Sequence, residues 1–154
     1  MAQTSRPKES THTRLVIGID PNTNDGRSKA FRYGAGECLI GAQKLDAGFP
    51  DLTGEYILTF HALELGLKAF LAKHGLTNEQ LRKKPFSHNL VNLYNEACKR
   101  GLSISLPNIE DTIAWINEYH DQGSLLRYDF TNARELPMCT TLFPIVEAIL
   151  VASK

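Results

Sequence analysis

Several features that would settle a function are missing from this chain. Three cysteines, Cys38, Cys98 and Cys139, are spread over 154 residues with no CxxC pair, which excludes a disulfide framework and a cysteine-based zinc site. Each is expected to pack as a small apolar side chain in a reducing cytoplasm. Charge of one sign is also missing. Lys+Arg and Asp+Glu are each 17, so the surface as a whole cannot be a nucleic-acid footprint, although a local basic patch stays open. No run approaches the ~20 apolar residues that span a bilayer. The polar opening "MAQTSRPKESTHTR" has no apolar core of a signal peptide. A cytoplasmic chain with no membrane partner is therefore expected. There is no GxSxG elbow, P-loop, GxGxxG or HExxH, and no internal repeat.

What is present reads as a helical protein. The hydrophobic share of 42% is ordinary for a globular domain, and the length suits one core without metals or cross-links. Residues 1–14 are too polar to bury and are expected to form a loose or disordered tail, leaving 15–154 as a single domain. "RLVIGID" reads as an isolated strand or extended arm, and "DPNTNDG" as a turn. The turn resembles a calcium loop, but its glycine falls one position late and Phe31 stands where a chelating Glu is needed.

Apolar spacing then predicts helices. The first runs from Arg27 to Ala47, with three glycines allowing close approach of a neighbour. "GEYILTFHALELGLKAFLAKHG" follows, capped by Asp51 or Thr53 and ending at Gly75. It is apolar around nearly its whole circumference and is expected to be central. Thr77 and Gln80 have capping-box spacing for one short turn. Ser87 is the expected cap of "HNLVNLYNEACKRG", and Asn108 and Asp111 suit the start of the next helix. After the irregular connector "SLLRYDFTNARELP", Thr140 or Thr141 opens a last helix whose Pro144 falls in the first turn. The fold class is all-α: a four- to five-helix up-and-down bundle with an irregular N-terminal arm.

Two constellations carry chemistry. On the central helix His61, Glu64 and Lys68 form a narrow polar stripe. It is either a solvated edge or a polar groove facing another helix, where a desolvated pair is costly unless something binds it. The second, "RKKPFSHNL", puts Arg82 and His88 in a basic loop with five residues between them, though Pro85 prevents one continuous helix from presenting both. No metal is expected: only His61 and Glu64 have ligand spacing within a helix, and the facing Glu and His of a bundle di-metal site are not apparent.

Ala62, Glu64, Lys68 and Ala69, followed by Ser87, His88 and Leu90, resemble the motifs of the HEPN family of small helical bundles. Arg127 and Tyr128 in "LLRYDF" look like an Arg-Tyr pair near the end of many such domains. The firm part of this resemblance covers roughly residues 56–95. It implies a four- or five-helix bundle, commonly a homodimer, of a kind found in toxin–antitoxin and defence systems. Many members are metal-independent RNases that carry R-x4–6-H on a late helix. Others bind nucleotides or serve as inert modules. Here the last predicted helix has neither Arg nor His, and His120 precedes Arg127 in reversed order.

The expectation is thus a non-catalytic HEPN-like module of a bacterial defence or stress system. It would need no cofactor and would bind a nucleotide, RNA or protein partner through Glu64, Lys68, His88, Arg127, Tyr128 and His61. The first alternative is a metal-independent ribonuclease using His88 with Arg82 or Arg127. The second is a purely structural interaction protein.

Overall fold

The computed structural model describes residues 18–48, 53–121 and 135–154. The N-terminal tail, most of the proposed arm, the Asp51 cap and most of the 124–137 connector lie outside the described residues. Those that are described form an all-α protein with no strand: α1 (Asn24–Gly48), α2 (Thr53–Lys73), the one-turn α3 (Asn78–Arg82), α4 (Leu90–Lys99), α5 (Ile109–His120) and α6 (Cys139–Ala152). None of the described helices is long and apolar enough to cross a membrane.

α1 starts three residues earlier than its periodicity predicts, because the turn before it supplies a cap. The Asn22 amide donates to Asp20 Oδ1 (2.9 Å), and the Thr23 hydroxyl accepts the Gly26 amide (3.0 Å), satisfying an orphan donor of the first turn. Gly26 is required there, since a Cβ would fall 1.8 Å from the Asp20 carbonyl oxygen. α1 and α2 pack as an antiparallel hairpin. Gly34 faces Leu65, Gly41 faces Leu58 and Leu45 faces Gly54, so one index falls as the other climbs. Of the three glycines in the expected span 27–47, Gly34 and Gly41 make the close approach, while Gly36 faces open space.

α2 is the core of the molecule. Phe60, Leu63, Leu67 and Leu71 are fully buried, and the helix packs against α1, α4 and α6. Gly66 lets Ile149 of α6 approach closely, and the C-terminal carbonyl of Ser153 accepts from Ser28 and Arg32 of α1. α2 stops at Gly75, whose φ of +97° only glycine adopts freely. The capping box at Thr77 and Gln80 forms as its spacing predicts.

Three expectations are corrected. α4 is capped by Asn89, whose side chain accepts the Asn92 amide at 2.8 Å; Ser87 sits at φ 27° in the turn before it. α6 begins at Cys139, so Pro144 lies beyond the first turn. The carbonyl it leaves without a helical donor belongs to exposed Thr140, where water can serve. Cys98 is exposed and does not pack inside, unlike Cys139.

Candidate functional site

Glu64 sits in the middle of α2, 2% exposed and surrounded by leucines and phenylalanines. An ionised carboxylate in such surroundings must be partnered, and its two oxygens divide the task. Oε1 accepts from Lys68 Nζ one turn on, at 2.5 Å. Oε2 is met by His120 Nε2 at 2.7 Å and His88 Nδ1 at 3.1 Å; with protons on those nitrogens, both rings donate. His61 Nδ1 stands 4.0 Å from Oε2 on the rim.

Separate elements deliver these groups. Lys68 is buried with Glu64, so the stripe on α2 is a desolvated groove and only His61 keeps a half-exposed edge. His88 comes from the turn between α3 and α4, which folds back on itself through Ser87 N–H to Lys83 C=O (3.0 Å) and Asn89 N–H to Phe86 C=O (2.6 Å). His120 ends α5, its ring edge-on to Phe60 with centroids 6.2 Å apart. The α4 and α5 ends are tied together: the Leu90 amide donates to Asn117 Oδ1 (2.7 Å) and Asn89 Nδ2 to Asp121 Oδ2 (2.8 Å). That lock places the two histidines on one carboxylate.

Burial alone would raise the pKa of Glu64. The hydrogen bond from His120 and the Lys68 ammonium outweigh it and hold the carboxyl well below the usual carboxylate range.

Beside this hub lies an open cavity of about 580 Å³, walled in part by Arg27, Phe31, Lys68, Arg82, Ser87 and His88. Among the described residues, no carboxylate lines it. Arg27 is aimed by backbone carbonyls of Pro21 (3.3 Å) and Asn22 (3.0 Å) and by the Asn24 side chain. Arg82 is exposed and makes no hydrogen bond or ion pair within the described residues. Pro85 breaks the helix between Arg82 and His88, as the sequence requires, yet the turn still brings both side chains to one cavity.

Glu64, Lys68 and His88 therefore meet, His61 is peripheral, and Arg127 and Tyr128 lie outside the described residues. His120 and Arg27 were not among the candidates from sequence. Neither has a local signal: His120 reaches Glu64 across 56 positions, and Arg27 follows an ordinary-looking turn. No protein-family model matches the chain, and no curated protein or solved structure does.

Glu64→Leu should strand the Lys68 ammonium among apolar side chains and cost about 3–5 kcal/mol in urea denaturation. Glu64→Leu with Lys68→Met should cost less than the single change; a larger loss in the double variant would contradict the pairing. Acid supplies a second check. Unfolded Glu64 takes up its proton near ~4.3, whereas the folded carboxyl holds out to much lower pH, so below ~4.3 the unfolded state binds more protons and stability falls. The melting temperature should drop as pH falls from about 5 to 3, and in Glu64→Gln the drop should be shallower.

Proposed function

We propose that the chain is a HEPN-like, non-catalytic helical module that binds a phosphate-bearing ligand, a nucleotide or an RNA end, in the cavity beside Glu64. The observation that carries this reading is the lining: Arg27, Lys68, Arg82 and His88 bring cationic or proton-donating groups to one opening with no carboxylate among them. The volume of about 580 Å³ falls in the usual range of small-molecule sites. Arg82 has an unused planar fork for two phosphate oxygens. Lys68 is already balanced by Glu64, so the arginines supply the net attraction. A role in a bacterial defence or stress system follows from the family resemblance alone.

A second reading, metal-independent RNA cleavage, is favoured by one detail. With its Nδ1 proton given to Glu64, His88 keeps Nε2 as a base, beside an arginine able to stabilise charge on phosphorus. We also propose that two copies pair through α1. Tyr33 and Ile40, seven residues apart on one helical face, are each more than half exposed. Lys29 and Arg32 line the same groove as Glu37, so an antiparallel partner would set opposite charges together.

A nucleotide panel should contain a ligand that raises the melting temperature, by mass action on the folded state. That shift should shrink at high salt and be lost in Arg82→Ala, which removes an exposed side chain with no hydrogen bond or ion pair among the described residues. No shift with any nucleotide or short RNA would remove the binding reading in favour of a purely structural module. Labelled RNA in EDTA should stay intact; cleavage abolished by His88→Ala would establish the ribonuclease instead. Light scattering should give a dimer for the native chain and a monomer for Ile40→Glu.

A further inference from the structure

We infer that Glu64, His88 and His120 form a binding site for a zinc-class divalent cation. One donor atom from each lies within 4.8 Å of the other two. Oε2 of Glu64 is 2.7 Å from His120 Nε2 and 3.1 Å from His88 Nδ1. Donors on a tetrahedral zinc with bonds of ~2.0–2.1 Å stand about 3.4 Å apart, so each ring would have to move away from Oε2 by less than about 1 Å to reach that spacing. Two imidazoles and one carboxylate are a borderline donor set that suits Zn²⁺ ahead of the oxygen-seeking Mg²⁺ and Ca²⁺. Three protein donors leave a fourth position for water.

The surroundings supply what a bare triangle would lack. Lys68 holds the other carboxylate oxygen at 2.5 Å, fixing the orientation in which Oε2 is offered, as outer partners do in metal sites. Phe60 sets the plane of the His120 ring. Burial is graded across the site: the side chains of Glu64, His120 and His88 are 3%, 12% and 61% exposed. An ion can thus approach from the His88 side and be held against a desolvated carboxylate. Binding requires each imidazole to give up the proton it directs at Glu64 and carry it on its other nitrogen. The ion then replaces two N–H donors as the partner of Oε2. This inference does not depend on the phosphate reading: the site shares His88 with that cavity, but Glu64 and His120 do not line it, and the cation needs no phosphate to bind.

The test is titration of the full chain with Co²⁺, read by visible absorption, followed by displacement with Zn²⁺ in calorimetry. One ion per chain is expected, with the intense bands of low-coordinate cobalt. His88→Ala and His120→Ala should each weaken binding by at least about tenfold, since losing even an outer-shell partner costs that much. His88 is mostly exposed, so its alanine variant should fold and decides the matter if His120→Ala does not; circular dichroism checks both. Absence of binding, or binding unchanged in His88→Ala, as for an ion held at exposed Cys98, would overturn the site.

Discussion

An ionised carboxylate in the middle of an apolar helix sets a condition that the rest of the chain has to meet. Taking Glu64 out of water costs several kcal/mol unless donors replace the lost hydration. α2 alone provides one, Lys68, and that pair leaves the second oxygen open. The remaining donors come from the turn before α4 and the end of α5. Satisfying one residue therefore fixes where two other elements sit. The lock of Leu90 and Asn89 onto Asn117 and Asp121 serves the same end, because it sets the distance between the histidines. Packing elsewhere is made of leucine, isoleucine and phenylalanine, which fill space without dictating a register this sharply.

Where α2 meets α1 the constraint is steric. Gly34 and Gly41 let α1 lie close against Leu65 and Leu58, and this proximity carries the start of α1, with Arg27, to the mouth of the cavity. Charge is thereby sorted by depth. The carboxylate lies inside, already matched, and the arginines stand outside it, one held by carbonyls and one without a partner among the described residues.

How much of this could be read from sequence depends on the range of the interactions. α2, its stop at Gly75 and the capping box at Thr77 depend on residues within a turn or two, and each was legible. Glu64, Lys68 and His88 could each be picked out as polar candidates, though only the fold shows that they touch. The start of α1 was misjudged because Thr23 and Gly26 look like a turn, and the capping geometry appears only when the Asp20 carbonyl is placed. Ser87 is the cap expected from sequence, but Asn89 also has a capping side chain, and the fold-back of the preceding turn selects it. His120 had no signal at all. A lone histidine at the end of an amphipathic helix becomes a site residue only when that helix packs end-on against Glu64.

His88 connects the two halves of the site. One nitrogen faces the buried carboxylate while the ring also borders the cavity, and Lys68 stands in the same double position. Any anion that drew either group outward would do so against Glu64, whose own attraction strengthens as water is excluded. On the proposed reading, a phosphate-bearing ligand would be held most economically by Arg82 and Arg27, which pair with no carboxylate among the described residues, while Lys68 and His88 shape the floor. An ion on Oε2 would shift this balance, since it would add positive charge beside the cavity while Lys68 stays on Oε1. Through these two side chains, the charge state of one core residue sets the potential of the opening above it.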